Sequence, residues 1–512
     1  MPDWSAGYVA DIGYTYGTYA ELNPHRMRLA LLMAGIVPPE IGTACELGFG
    51  QGMSVNMHAA GSDTTWYGTD FNPSQAAFAQ ELVSASGANA HLYDQSFAEF
   101  CTRTDLPDFD FIGLHGIFSW ISDENRAIIV DFIRRKLKVG GVLYISYNTQ
   151  PGWAAMAPVR DLMTEYASVM GAPGQGSLGR VEQSLGFMDR LFAAEPRYLT
   201  ANPTAKPRFE RLKAQNRSYV AHEYFNRDWV PLTFAQMARW LEPAKVGFAC
   251  SAHYLDQIEA INLSADQQKV LAEVTDVHLA QTVRDFIINQ TFRRDYWVRG
   301  PRKLGVVLQD KLLRELRVAL TTPRADVTMK ATGPVGEISL NAGVYEPLLD
   351  FLADHQPRTI DELITHGATH QLTKNQVLQA IYILTGIGSL AILRSEEVAA
   401  QARPRTDRLN AHLSALSLTT PELQQLVSPA TGGAVPVDSV QMLFVLARSQ
   451  GEKDAEQWAR FANAVLARQG RRLIVDGKPT ETDEEQSREM IKRATTFREQ
   501  TLPILQTLGV IG

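Results

Sequence analysis

The chain has 512 residues, 45% hydrophobic and 21% charged, the balance of an ordinary globular enzyme with room for about three domains. Its net charge of −7 and pI near 5.9 argue against a nucleic acid as the main partner, because such proteins usually carry a basic excess. Cys45, Cys101 and Cys250 are far apart and odd in number, which fits neither a disulfide framework nor a zinc site. No apolar run approaches the roughly 18 residues of a membrane span. Met1-Pro2-Asp3-Trp4 lacks the basic and apolar pattern of a signal peptide, so the chain reads as cytoplasmic.

Residues 1 to about 45 precede the first strand. They carry Tyr8, Tyr14, Tyr16 and Tyr19, then a helix from Pro24 to about Ala34, opened by a proline in its favoured place. A short apolar run containing Cys45 then leads into Glu46-Leu47-Gly48-Phe49-Gly50-Gln51-Gly52. The run Thr65 to Thr69 ends in Asp70. A glycine-rich strand-to-helix turn followed by an acidic strand end is how an α/β sheet holds an adenosine cofactor. Gly48, Gly50 and Gly52 let the backbone approach the ligand, and Asp70 accepts the ribose hydroxyls. A dinucleotide site would read G-x-G-x-x-G and offer a helix N-terminus to a pyrophosphate. Here the third glycine comes one place early, Met53 fills the expected slot, and the charge of Glu46 would repel a diphosphate. That charge suits a ligand with an amino group and a sulfonium, S-adenosylmethionine (SAM), whose carboxylate can still use the helix N-terminus.

A third strand, Ala90 to Tyr93, is followed by Asp94, Gln95 and Ser96, where an adenine could be read. A fourth runs from Phe109 to Leu114 and ends at His115, beside the reacting group. An amphipathic helix is expected from about Asn125 to Leu137, stopped at Lys138-Val139-Gly140-Gly141 by its glycines. The strand Val142 to Ser146 follows. This order resembles class I SAM-dependent methyltransferases, which implies an α/β, Rossmann-like fold with SAM as cofactor. Residues 156 to 300 are mostly helical by period, with a loop at Gly171 to Gly176 and breaks at Pro203, Pro207 and Pro231. Gln267 to Asn289 reads as one long helix, followed by the basic cluster Arg293, Arg294, Arg299, Arg302 and Lys303. From about 305 to 395, a strand at Ile338 to Leu340, three helices (Val344 to His355, Thr359 to His366, Thr373 to Gly386) and a strand at Ser389 to Leu393 suggest a winged-helix module. The rest is helical and ends in a charged amphipathic stretch, Glu481 to Gln506.

Several segments are more particular: Leu114 to Ile121 (LHGIFSWI), Ser146 to Trp153 (SYNTQPGW), Tyr219 to Asn226 (YVAHEYFN), and Arg284 to Ile287 with Phe292 to Asp295. These resemble the bacterial methyltransferases that carry a methyltransferase regulatory domain. That family includes the rickettsial protein-lysine methyltransferases acting on outer-membrane protein B. The resemblance covers most of residues 10 to 400. It implies a SAM-binding domain with an N-terminal lid (1–155), a helical regulatory or dimerisation domain (156–304), a winged-helix-like middle domain (305–400) and a helical C-terminal domain (401–512). It also implies a homodimer. The family includes members of unknown substrate, so lysine specificity does not follow from membership; the reading adopted is methyl transfer to a protein side chain, with lysine amines of a surface or outer-membrane protein as acceptors. One departure stands at the adenine-reading turn, where the family places an acid before the serine and this chain has Gln95; Asp94 can substitute. Rival readings are a small-molecule or saccharide methyltransferase and a non-enzymatic scaffold.

Methyl transfer needs orientation and exclusion of water more than a strong base. A lysine acceptor, with a free pKa near 10.4, needs a channel of aromatics and one or two acceptors to align it. Ligands sit at the carboxyl edge of an open sheet, so the candidates are His115, Trp120, Tyr147 and Asn148. Tyr14 and Tyr16 could form a lid, and His222, Glu223 and Tyr224 could close the site from the helical domain. His115 is the candidate for proton removal, since histidine titrates near neutrality; it could equally be a hydrogen-bonded strand-end histidine. Trp120, Trp153, His222 and Tyr224 could instead pack a core. The arginine cluster could be a solvated face or receive an acidic substrate. Lys374 alone is basic at the start of the would-be recognition helix, too little for DNA.

Overall fold

The computed structural model describes residues 7–9, 11–172 and 174–512; Pro173 of the expected loop and Met1 to Trp4 lie outside them. Seven strands form one sheet: β1 (Thr43–Leu47), β2 (Thr65–Thr69), β3 (Ala90–Tyr93), β4 (Phe109–Leu114), β5 (Leu137–Asn148), β6 (Val246–Ser251) and β7 (Phe292–Arg299). Their order is β3-β2-β1-β4-β5-β7-β6. β1 to β5 are parallel, and β7 runs antiparallel to both its neighbours. Strand order reverses between β1 and β4, and there the carboxyl ends of neighbouring strands leave a crevice. The loops after β1, β2 and β4 therefore deliver Gly48, Asp70 and His115 to one place.

Parallel strands are covered on both faces and read as continuous apolar runs. Four of the five residues of β1 are accordingly buried, Glu46 among them. The helix Met53–Ala60 is buried along its whole length. Its far side is covered by the helix Glu396–Leu416 and its approach. Arg394 and Arg405 donate from there to the carbonyls of Gly61, Ala60 and Ser62, groups that a helix C-terminus leaves without internal partners.

Four expectations need correction. The stretch 156–304 is not a separate helical unit, because β6 and β7 complete the sheet begun by β1 to β5. Helices run between β5 and β6 (Ala157–Met170, Gly176–Ala193, Arg197–Ala201, Ala205–Lys213, Arg217–Tyr224, Phe234–Leu241) and between β6 and β7 (chiefly Ala265–Ala272 and Val277–Ile287). Lys138 to Gly141 is not a helix stop: the helix Asp123–Lys136 ends earlier, and these residues open β5 across a register shift against β4. The long helix at 267–289 is two, because Asp276 caps the second by accepting the Leu279 N–H at 2.7 Å. The arginine cluster is not one face: Arg293 is 4% exposed within β7, whereas Arg302 and Lys303 are exposed.

In the middle module, helices Ala342–Phe351, Ile360–Thr369 and Lys374–Gly386 pack on a three-stranded sheet. Its central strand, Arg317–Leu320, precedes those helices and pairs antiparallel with Arg358–Thr359 and Leu390–Leu393. After Leu393 the chain enters the helix Glu396–Leu416 instead of a wing. Lys374 is held by Asp310 at 2.9 Å. The C-terminal part is helical with two short hairpins, Gln425–Ser428 with Gly433–Pro436 and Ile474–Val475 with Lys478–Pro479. Among the described residues no helix is long and apolar enough to cross a membrane.

Candidate active site

A cavity lies over the crevice, lined by Glu46, Gly48, Gly50 and Asp70 together with Tyr8, Tyr14, Tyr19, His222 and Glu223. Gly48 and Gly50 both adopt positive φ, 72° and 58°, which an L side chain rarely tolerates. At Gly48 a Cβ would also stand 2.4 Å from Ile117 Cδ1. The glycines thus keep the loop turned and bare. Asp70 holds it: Oδ2 accepts the Gly50 N–H at 2.9 Å and Oδ1 the Asn72 N–H at 3.0 Å. Gly52 caps the following helix at φ 72°. It packs on Ala79 and leaves no room for a Cβ, so its role is to support the turn.

The electrostatics explain which ligand fits. Glu46 is 3% exposed, and its Oε2 has no hydrogen-bond partner. Burial, and secondly the charge of Asp70, push its carboxyl up to about 8. Burial also pushes Asp70 up to about 6, against the pull of the two N–H groups. Two desolvated carboxyls in one pocket, with Glu46 Oε2 unpartnered, favour a ligand whose cation stabilises their ionised forms. SAM fits that demand, with Glu46 and the glycine loop toward its amino acid end and Asp70 toward its ribose. Gln95 and Ser96 line the cavity at the expected adenine end, while Asp94 is exposed and outside it. Ser96 caps the helix Phe97–Cys101 in a reciprocal pair with Glu99. Gln95 Oε1 accepts from Arg103 at 3.3 Å.

The acceptor side departs further from expectation. His115 lines the cavity, stacked on Tyr19 with ring centroids 3.5 Å apart and planes at 16°, and its Nδ1 lies 2.8 Å from the Tyr144 hydroxyl. Burial lowers its basicity to about 3. It stays neutral at physiological pH and is too weak a base to take a proton from an ammonium, so the strand-end reading prevails. Trp120 lines the cavity as expected. Tyr147 and Asn148 do not. β5 continues through Asn148, so both remain inside the sheet: Tyr147 is fully buried and donates to Asp295 at 3.0 Å, and the Asn148 N–H donates to Ser119 at 2.9 Å. Trp153 and Tyr224 pack with Trp229 in a separate core.

Tyr14 meets the His222 ring edge-on at 4.9 Å over the cavity. Tyr16 turns away onto Phe78 and drops out of the lid. The N-terminal segment is fastened from the helices that precede β6: Asn226 Oδ1 accepts the Val9 N–H at 3.0 Å, Gly7 accepts from Arg227, and Asp11 accepts from Ser177. Sequence reasoning missed the lining role of Asn226 and Arg227, although Asn226 closes the YVAHEYFN motif and Arg227 follows it.

Comparison with known proteins agrees with this geometry. A family model described as a methyltransferase domain matches residues 44–141, and one described as a predicted methyltransferase regulatory domain matches residues 216–299. An uncharacterized protein of Synechocystis, sll1526, is 41% identical over 99% of both chains. An uncharacterized protein of Rickettsia prowazekii, RP789, is 27% identical over 55% of this chain and 51% of its own. The structure of PKMT2 from Rickettsia typhi in complex with AdoHcy shares the fold at a TM-score of 0.68 and 17% identity, covering 95% of this chain and 98% of that one. With the glycine loop, the paired carboxyls and the 3-2-1-4-5-7-6 sheet in place, the chain belongs to the family of class I SAM-dependent methyltransferases that carry a methyltransferase regulatory domain.

Proposed function

We propose that this methyltransferase transfers methyl groups to a protein side chain, a lysine amine. The observation that carries the reading is the composition of the cavity. The rings of Tyr8, Tyr14, Tyr19 and Trp120 line it beside the glycine loop and Asp70. Aromatic faces accept an aliphatic stem and attract a cationic head. The shared fold with PKMT2 supports the same reading, as does the resemblance of the YVAHEYFN and SYNTQPGW segments. When bound, SAM supplies a methyl group on a sulfonium centre. The chain's own part is to hold that group with Glu46, the glycine loop and Asp70, to align the acceptor between rings, and to exclude water. The proposal includes a homodimer, and an acceptor on a surface or outer-membrane protein.

The test is incubation with radiolabelled SAM and a lysate of the source cell, resolved on a gel and by small-molecule extraction. Label in a protein band, located on lysine by mass spectrometry, supports the proposal. Label in the extract alone overturns it in favour of a small-molecule acceptor. Sedimentation of the purified chain at twice its 56.7 kDa mass is expected for the homodimer, and sedimentation as a monomer refutes that part.

A further inference from the structure

We propose that Glu223 is the group that receives the acceptor's ammonium and removes its proton, which makes an amine the acceptor class of this cavity. The inference rests on the methyltransferase reading above and adds a residue and a chemistry to it. Glu223 lies on the helix Arg217–Tyr224 and lines the same cavity as His115 and Asp70. It is half-buried, and among the described residues its carboxylate makes no hydrogen bond and no ion pair. Its charge raises the phenols of Tyr8, Tyr14 and Tyr19 from the N-terminal segment and those of Tyr219 and Tyr224 on its own helix.

Among the described residues no other group at the cavity neutralises it. Across the space stand Glu46 and Asp70, both carboxyls. His115 and His222 are both held neutral by burial. Arg227, the arginine in the lining, pairs with its neighbour Asp228 at 3.1 Å. A partly desolvated carboxylate without a cation, walled by aromatic rings, is a site built for a cation that arrives from outside. Burial pushes the Glu223 carboxyl up to about 7, which matches a proton acceptor to neutral pH. The step balances: one N–H bond of the ammonium breaks, one O–H bond forms on Glu223, and the nitrogen keeps the electron pair with which it takes the methyl group. His115, the expected base, is thereby relieved of that role and serves as a stacking face.

The experiment compares full-length wild type, Glu223→Gln and Glu223→Asp. SAM affinity is measured by calorimetry and methyl transfer from labelled SAM into lysate protein and extract from pH 6 to 10. For Glu223→Gln the expected result at pH 7 is a loss of about a hundredfold, within the span of general-base contributions. Transfer should recover as pH approaches about 10.4, where a lysine ionises unaided, and SAM binding should stay at the wild-type level. Glu223→Asp should fall between the two. A second readout needs no turnover: N-acetyl-lysine-methylamide added to the S-adenosylhomocysteine-loaded protein should show saturation transfer with wild type and lose it with Glu223→Gln. Transfer by Glu223→Gln within threefold of wild type at every pH overturns the proposal. So does parallel loss of SAM binding, and so does a methylated product in which the new bond is to oxygen. If the wild type labels neither protein nor extract while it binds SAM, the enzyme reading fails with it; failure of Glu223 alone shows as full activity in the variant.

Discussion

Asp70→Ala tests the cofactor half of the site most directly. Each oxygen of Asp70 already accepts one loop N–H, from Gly50 at 2.9 Å and Asn72 at 3.0 Å. An ionised carboxylate offers about four acceptor positions, so two remain for the two ribose hydroxyls. Hydrogen bonds to a charged group contribute about 1.5–3 kcal/mol each. Taking the lower figure for both gives about 3 kcal/mol, or roughly a hundredfold in affinity. Asp70→Asn keeps one oxygen for the loop and loses the charge, and should cost about tenfold. Calorimetric titration of the full-length protein with SAM and with S-adenosylhomocysteine is the assay, and thermal unfolding confirms that the variants are folded. The two ligands share a ribose, so both should weaken equally. Acid gives an independent arm. Because burial holds the Asp70 carboxyl at about 6, wild-type affinity should fall more steeply than that of Asp70→Ala as pH drops through that value. A folded Asp70→Ala that binds either ligand within threefold of wild type would refute the assignment.

Three further outcomes follow from the same geometry. Gly52→Ala places a Cβ 2.4 Å from Ala79 Cβ at φ 72°; left-handed strain and overpacking together should destabilise by about 2–4 kcal/mol. Gly140→Ala, at φ 85° with nothing within 4 Å, should cost only the strain of about 1–2 kcal/mol, so equal unfolding midpoints would contradict the packing argument. Arg293→Ala leaves Asp285 and Asp295 buried without their partner, bonded now at 2.6 and 2.9 Å; denaturant unfolding should show a loss of about 3–5 kcal/mol, and a loss below 1 kcal/mol would show the network to be dispensable. SAM binding at pH 7 should release protons, because Glu46 is held at about 8 without a cation and ionises when one arrives; a binding enthalpy independent of buffer ionisation would count against that.

What the sequence made legible was the half of the site built by local pattern. The glycine loop, Asp70, Gln95 with Ser96, and His115 each follow closely on a short strand, so their places could be read. Tyr147 and Asn148 were misplaced because the end of β5 is set from outside. β7 pairs along it as far as Asn148 opposite Phe292 and keeps both residues in the sheet. β7 itself was illegible because Phe292-Arg293-Arg294-Asp295 reads as a charged surface. Arg293 is matched by Asp285 and Asp295 and Arg294 by Glu21, pairings made only in three dimensions. The weak basicity of His115 is likewise a product of burial, which no residue type announces.

The same pairing changes how the regulatory segment is understood. The stretch matched by its family model, residues 216–299, is not appended to a finished catalytic domain. It begins with the helix that brings His222 and Glu223 to the roof of the cavity. It also supplies Asn226, which pins Val9 of the N-terminal segment, and it ends with the two strands that close the sheet. Through Arg293 it fixes Asp295, and through Asp295 it fixes Tyr147 of β5. A shift of the helix Val277–Ile287 would therefore pull on Arg293 by way of Asp285 and reach the strand that ends beside the site. The glycine loop and Asp70 line the cavity from the first half of the fold, and His222, Glu223, Asn226 and Arg227 line it from the regulatory segment. Substitutions in 216–299 should thus alter acceptor use before they alter SAM binding.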